Sequence, residues 1–488
     1  MDFEDELRDV VAEVAAEHGV PGVSVGVLDG DRPHVVTHGV TNAEHPLPVT
    51  PGTLSQVASI TKTFTGAAMA LLVEQGDVAF EDPVARHLPD LAPSTGLPFD
   101  EITVEHVLSH QGGFDGDHLF VGRTDDLGAL ADARRLFPPG NGFSYSNAGF
   151  SIAGAVIEAV SGQPFDRFVH DRLLVPLGMD TATFHADDAI THSVLAPHWV
   201  FEGAAYVIRA GGWQPGWEMG PTDRAAAGLV ASVEHLLAWC WFQRSGTDAD
   251  GNRLLSEESL ERLHTPVVTA DRWESIGLDW HVGDIEGITT IGHGGVTVGY
   301  LSDLVIVPDH DLAVIGLNNA TNGGIVNQRI RRWVLEQRAA LVERDPEPDP
   351  AVHIDRSRYQ GRYLHPFADL TVTDGDEPGT VVVTPVLRED VPDGWRPPTD
   401  PPTTCGFVAE DAIVTLDNLG TVRTATFGFG SGATADWLLW QGRRALRAGR
   451  DRHDARGPVT QASGTVRPVE NRDSLPVANP PLSRPDRL

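Results

Sequence analysis

The chain has 488 residues, 41% of them hydrophobic, which is enough apolar material for two or three globular domains and excludes a largely disordered polymer. Its 69 acidic against 36 basic residues give a formal charge of −33, spread along the sequence rather than gathered in one tail. That balance excludes the basic footprint of a nucleic-acid binder and disfavours an anionic membrane surface.

In chain order, Glu4 to His18 reads as an amphipathic helix with Leu7, Val10, Val11, Val14 and Ala15 on one face. Val20–Leu28 and Val35–Val40 read as strands joined by the Asp29-Gly30-Asp31 turn. A helix-rich middle follows, at Ile60–Glu74, Thr103–His110, Phe150–Val160, Phe165–Leu174 and Val233–Phe242. After Trp273 strands return, through Ile288–Gly292, Tyr300–Pro308 and Leu312–Asn318, and a last helix is expected near Val326–Glu343. Strands at both ends with helices between them predict one sheet, completed by the N- and C-terminal pieces and packed against helices. Glu343 to Pro350 alternates acids and prolines, as a linker does. Beyond it, short β-rich runs (Thr380–Val386, Ala412–Leu416, Ala425–Phe429, Trp437–Trp440) predict a small antiparallel barrel or sandwich. From about Arg450 the Pro-, Arg- and Ser-rich chain reads as a disordered tail.

The basic residues carry a message of their own. Lys62 is the one lysine, so the other 35 are arginine. An acidic, nearly lysine-free surface suits multimolar salt, where screening removes self-repulsion, and points to a halophilic source; a drift in nucleotide composition could also replace Lys by Arg. On either account, a function must explain the lysine that remains. It lies in Ser59-Ile60-Thr61-Lys62. On the first turn of a helix, positions i and i+3 share a face, so hydroxyl and ammonium can meet. A serine is a poor nucleophile until a neighbour takes its proton; a buried lysine can do so, whereas arginine does not deprotonate. Backbone N–H groups at the helix start can also stabilise an oxyanion.

Tyr145-Ser146-Asn147 is the second element, since a phenol near ammonium groups can act as general base and an amide can hold substrate and orient the lysine. His293-Gly294-Gly295, followed by Val296, is the third: the glycines allow a substrate backbone to approach a strand, and the imidazole could donate a hydrogen bond to substrate or tune Tyr145. His110-Gln111-Gly112 also spells His-x-Gly but ends a helix and reads as a structural turn.

These elements, in this order, resemble the serine β-lactamase-related and penicillin-binding family: class C β-lactamases, D-Ala-D-Ala carboxypeptidases, D-aminopeptidases and related esterases. The likeness runs over about residues 5–340 and includes Gln56–Phe64, Leu108–Gly113, Tyr145–Phe150, Pro176–Met179 and Gly228–Ser232. It implies an α+β fold, an antiparallel sheet flanked by helices plus an all-helical subdomain, over residues 1–343. After a linker at 344–354, residues 355–450 resemble the lipocalin-like barrel that follows the catalytic domain in some family peptidases. Carried over by motif, Ser59 resembles the acylated nucleophile, Lys62 its base or proton partner, Tyr145 the deacylation base and Asn147 a substrate-binding amide. The oxyanion hole would map to the N–H groups of Ser59 and Val296. One departure stands out. The family's β-lactamases carry Lys-Thr-Gly where this chain has His293-Gly294-Gly295, so the carboxylate of a β-lactam loses its lysine partner, and the His-x-Gly element looks more like the D-aminopeptidases and esterases.

The expected function is therefore a serine hydrolase acting through acyl-Ser59 on amide, peptide or ester substrates, with weak β-lactamase activity at most. The rival reading is a non-catalytic ligand-binding or scaffolding protein of the same fold. No metal and no cofactor is expected, because His106 and His110 lack the intervening glutamate of a zinc motif, and Cys240 and Cys405 make no ligand spacing. Gly22-Val23-Ser24-Val25-Gly26 spells a nucleophile elbow but alternates within a strand, which makes Ser24 a strand residue. The start carries no basic region ahead of an apolar core, and no apolar run approaches about 18 residues. A cytoplasmic protein is expected, with a small-molecule or short-peptide substrate, no nucleic-acid or membrane partner, and room for a homo-oligomer.

Overall fold

The structure is a computed structural model that describes residues 2–117, 127–209, 217–387, 401–416 and 423–449. The expected tail beyond Arg450 lies outside the described residues. Helix α1 (Phe3–His18) is capped by the Asp2 side chain, ends at Gly19 in the left-handed region, and buries Leu7, Val11, Val14 and Ala15. Strands β1 (Gly22–Asp29) and β2 (Arg32–Gly39) form a hairpin across Asp29 and Arg32. The sheet is completed from the far end of this part of the chain by β3 (Val268–Thr269), β4 (Glu274–Ile276), β5 (His281–Ile285), β6 (Ile288–Thr297), β7 (Tyr300–Val307) and β8 (Leu312–Asn318). Its order is β2-β1-β8-β7-β6-β5-β4-β3, antiparallel throughout.

Each face of the sheet has its own core. Val23, Val25 and Val27 of β1 point one way, into a cluster with Leu7, Val11 and the last helix of this part, α5 (Gly323–Ala339). Leu28 points the other way, into the larger cluster of the helical half, with α2 (Thr61–Gln75), α3 (Asn147–Ser161) and α4 (Val233–Ser245). Gly26 permits this second packing, because a Cβ there would lie 2.9 Å from Val233 and 3.1 Å from Leu237 on α4. Helix α2 is buried on every side from Thr61 to Leu72, so its polar residues must find partners inside the protein.

Element ends differ from the sequence reading where side chains intervene. The last helix begins at Gly323, whose Cα sits against Asn318, and stops at Ala339 rather than running to Glu343. Ala340 turns into the left-handed region, which brings Glu343 back to pair with Arg331 at 2.7 Å. The helix expected over Thr103–His110 covers Val104–Leu108, and His110 turns at φ 60°. The helix expected over Phe165–Leu174 is α-helical to Val169 and continues as one π-turn from His170 to Leu174.

The acid–proline segment is not a free tether, since Asp345 pairs with Arg332 at 2.5 Å and the Asp349 N–H donates to Phe407 O at 2.9 Å. After it comes a closed antiparallel barrel of eight strands: β9 (Gly361–Leu364), β10 (Ala368–Asp374), β11 (Thr380–Leu387), β12 (Thr403–Ala409), β13 (Ala412–Thr415), β14 (Thr424–Gly428), β15 (Trp437–Trp440) and β16 (Arg443–Arg447). Of the two alternatives left open by the sequence, the barrel is the one formed, and β9 pairs with β16 to close it. Tyr359, Tyr363, Phe407 and Phe427 fill its interior. Among the described residues no helix is long and apolar enough to cross a membrane.

Candidate active site

Three elements meet at the start of α2. A two-residue ladder, Ser55–Gln56 against Val230–Ala231, delivers the chain to a 3-10 turn at Ala58–Ile60 that runs straight into α2. Val57 is held on both sides, its N–H donating to Leu229 O at 3.0 Å and its carbonyl accepting from Ser302 Oγ at 2.8 Å. Ala58 is forced to φ 49°, a conformation that costs a non-glycine residue about 1 kcal/mol or more. Ser59 therefore stands on a tightly constrained turn and is half-buried, while Lys62, one turn on, is fully buried.

Lys62 Nζ has three neighbours: Ser59 Oγ at 3.1 Å, Asn147 Oδ1 at 2.7 Å and the Ala226 carbonyl at 2.8 Å. Burial lowers its pKa from the ordinary 10.5 to about 7; Asp117 opposes this drop and Arg443 reinforces it. Tyr145 lies across the same space, hydrogen-bonded to Ser59, with Lys62 Nζ 4.9 Å from its ring centre. Burial pushes the Tyr145 phenol up, and the Ser59 hydrogen bond and Arg443 only partly offset it, so the resting side chain is the neutral phenol. Asn147 is the first residue of α3; Ser146 caps that helix, its Oγ accepting from the Gly149 N–H at 3.0 Å.

His293, Gly294, Gly295 and Val296 lie on β6 beyond Gly292, the last residue of that strand paired with β5. This edge passes against the Ser59 turn. A Cβ on Gly295 would sit 2.4 Å from Val57 O and 2.3 Å from Ser302 Oγ, so only glycine fits there. Gly294 is open on its Cβ side, with only Ser302 O at 3.8 Å, and Val296 is exposed. His293 is buried, and its Nδ1 lies 2.6 Å from Gly294 O. A carbonyl can only accept, so Nδ1 carries the proton. Nε2 is buried and unpartnered, and burial, reinforced by His281 and Lys62, holds the ring well below the usual imidazole range. The sequence reading had the imidazole donating to substrate or tuning Tyr145; with Nδ1 bonded to Gly294 O, Nε2 is the acceptor nitrogen, and the ring lies 6.3 Å from that of Tyr145.

Four further residues belong to the site, and the sequence did not single them out for it. His110 is more than a turn: its ring stacks on Tyr145 at 4.3 Å, and its Nδ1 accepts from the Ser146 N–H at 3.0 Å. His281 packs edge-on against His293 at 4.8 Å; burial disfavours its charge, but Glu274, at 2.9 Å, outweighs that and raises its pKa. Asp117 accepts from the Ala148 N–H at 3.1 Å and from Arg443 of the barrel, through Nε at 3.0 Å and Nη2 at 2.9 Å. No spacing in the sequence links Asp117 to Arg443, 326 positions apart. Ser24 sits in β1 between Thr37 and Leu317, away from these residues. His106 closes a capping box with Thr103. Among the described residues no cluster of His, Cys, Asp and Glu could hold a metal.

An eight-stranded antiparallel sheet backed by helices, with a Ser-x-x-Lys turn facing a Tyr-x-Asn segment and a glycine-rich strand edge, defines a hydrolase fold of the β-lactamase and transpeptidase type. The chain belongs to the Beta-lactamase family, whose match spans residues 7–338. Members of this family hydrolyse amides and esters. The chain is 29% identical over 323 residues to Penicillin-binding protein 4 of Amycolatopsis lactamdurans, a stretch that covers 63% of this chain and 82% of that one. Its fold is similar to that of SurE (TM-score 0.68, 24% identity, 91% of this chain and 99% of that one). It is also similar to that of the octameric penicillin-binding protein homologue from Pyrococcus abyssi (TM-score 0.61, 22% identity, 91% and 100%). These two likenesses in fold extend past the family match and take in the barrel.

Proposed function

We propose that this protein is a serine hydrolase that forms an acyl-Ser59 intermediate on amide, peptide or ester substrates and releases it to water. The observation that carries the reading is the set of atoms around Lys62. Asn147 Oδ1 and the Ala226 carbonyl can only accept hydrogen bonds. A neutral Lys62 amine has two hydrogens for them, which leaves its lone pair for the hydrogen of Ser59 Oγ. With a pKa of about 7 the amine is available as a base near neutrality.

In acylation Lys62 takes the Ser59 proton and Oγ bonds to the substrate carbonyl carbon. The resulting oxyanion would be held by the N–H groups of Ser59 and Val296. The bond from carbon to nitrogen or oxygen then breaks, and the leaving group takes a proton that Lys62 passes on through Tyr145. In deacylation a water gives its proton back along Tyr145 and Lys62, its oxygen attacks the acyl carbon, and Ser59 leaves as the hydroxyl. Asn147 positions the substrate. The neutral His293 ring offers no cation to a substrate carboxylate, so β-lactam turnover is expected to be weak.

The test is intact mass and peptide mapping after a fluorophosphonate probe in high-salt buffer. An adduct on Ser59, absent from Ser59→Ala and slowed by about a hundredfold or more in Lys62→Arg, is expected. No adduct on folded protein would favour a ligand-binding member of the family, and an adduct on Ser24 would move the chemistry to β1. Esters and D-aminoacyl amides are then compared as substrates. A homo-oligomer is a further expectation, supported by the octameric Pyrococcus abyssi homologue and checked by light scattering.

A further inference from the structure

The barrel's last hairpin reaches the catalytic residues. β15 and β16 are joined by Gln441 at φ 50° and Gly442 at φ 74°, two left-handed residues of the type that make a tight two-residue hairpin turn. The tip lies on the chain just before α3. Gly442 O accepts from the Tyr145 N–H at 2.8 Å, and the Arg444 N–H donates to Ser144 Oγ at 3.1 Å. Leu439 of β15 packs with Phe143 and Ile276 beneath this contact. Between these bonds Arg443 points inward, its guanidinium carbon 4.9 Å from the centre of the Tyr145 ring. Both its hydrogen bonds to Asp117 fall on one oxygen, Oδ2, while Oδ1 takes the Ala148 N–H and the Ser146 hydroxyl. The pair is buried: 15% of the Arg443 side chain and 4% of the Asp117 side chain remain exposed.

We propose that Arg443 is a positioning residue of the active site: by pairing with Asp117 and covering Tyr145 it fixes the Tyr145–Asn147 segment against Ser59 and Lys62, so the catalytic centre is complete only with the barrel hairpin seated. The proposal rests on the acyl-Ser59 reading above. Asp117 anchors the first turn of α3, and its charge there is countered by Arg443. Removing the guanidinium frees that turn and strips one face of Tyr145; the opposite constraints, His110 stacked on the ring and Lys62 bonded to Asn147, remain. The groups facing Lys62 and Tyr145 are Asp117, Arg443, His110, His281 and His293, with Asp223 and Asp279 acting on Lys62 by charge. Arg443 is a cation among them and disfavours the ammonium form of Lys62. Its loss, with Asp117 left in place, therefore raises the pH at which Lys62 becomes a base.

The experiment uses the full-length wild type, Arg443→Gln, and the double variant Arg443→Gln/Asp117→Asn, which removes both charges. The rate of fluorophosphonate labelling at Ser59 is followed from about pH 6 to about pH 9, with near-ultraviolet circular dichroism as the check of folding. Arg443→Gln is expected to label at least about tenfold more slowly at neutral pH, with its midpoint moved to higher pH. The double variant should stay slow, with a midpoint near that of the wild type. A folded Arg443→Gln with wild-type rate and midpoint overturns the proposal. If that variant does not fold, a wild-type rate in the double variant overturns it equally. A wild type that fails to label at Ser59 overturns the acyl-enzyme reading itself, which is a distinguishable result.

Discussion

Lys62 is the one lysine in the chain, so its titration can be observed without assignment. Protein labelled with 13Cε-lysine gives one resonance, whose shift follows the amine through its proton. A fall from the ordinary 10.5 to about 7 corresponds to about 5 kcal/mol of preference for the neutral form in the folded protein. Its principal cause is burial, since the ammonium would lie wholly inside, and Asp117 recovers only part of what the lost water supplied. The native resonance should therefore titrate near pH 7, and the same protein in denaturant near 10.4.

The same difference must appear in stability, and its sign follows from proton binding. Between about pH 7 and about 10.4 the unfolded chain holds a proton that the folded chain lacks, so stability rises with pH by about 1.4 kcal/mol per pH unit. The penalty is absent above the unfolded value and complete below the folded one. Lys62→Met, which cannot be protonated, loses that slope, so the wild type should gain about 2 kcal/mol on the variant between about pH 7.5 and about pH 9. Guanidinium denaturation at the two pH values measures it. A native 13Cε midpoint above about 9, or parallel pH dependence in the two proteins, would refute the burial argument and with it Lys62 as a base.

Other residues give sharper steric or electrostatic tests. Asp279 is buried at φ 78° with neither carboxyl oxygen in a hydrogen bond of good geometry, and burial holds its carboxyl well above the usual range. Such a group contributes stability below its unfolded pKa and loses it as pH rises toward the folded value. Asp279→Gly should therefore raise the thermal midpoint, by about 1–2 kcal/mol in free energy and by more at pH near 7.5 than near 5; an equal gain at both values would refute this account. Gly295→Ala places a methyl 2.4 Å from Val57 O and is expected to abolish Ser59 labelling, with a loss of about 1–3 kcal/mol in stability. Labelling at the wild-type rate would show that β6 can yield there.

The sequence revealed what depends on local spacing. Ser59 and Lys62 share a helical turn, and Asn147 follows Tyr145 by two positions, so their juxtaposition needed little beyond the helix period. The sheet halves were legible because alternating valines in β1 and the runs of β7 and β8 mark strands buried on a face. What stayed hidden depends on docking. Arg443 is one of 35 arginines until the hairpin carries it onto Asp117, and Asp117 is one of many acids until α3 begins beside it. The protonation of His293 was also out of reach, because it is set by a neighbouring carbonyl and not by the residue type. The end of α5 was misplaced for a similar reason: the helical pattern of Val326–Glu343 does not show that Glu343 turns back to Arg331.

The position of β1 in the sheet has a consequence for how the protein is made. Val23 pairs with Asn318, and β1 lies between β2 and β8, so the N-terminal hairpin has no second neighbour until nearly three hundred more residues exist. At ordinary elongation rates of about 5–20 residues per second, that is a wait of about 15 to 60 seconds. When the hairpin emerges, the members of the final cluster of Val23, Val25 and Val27 already made are those of α1 together with Val20 and Val36, while Leu312 and Val314 of β8 and the residues of α5 come last. Closing so long a loop is slow once the partner arrives. The burial of β1 between two neighbours thus waits on the translation of β8.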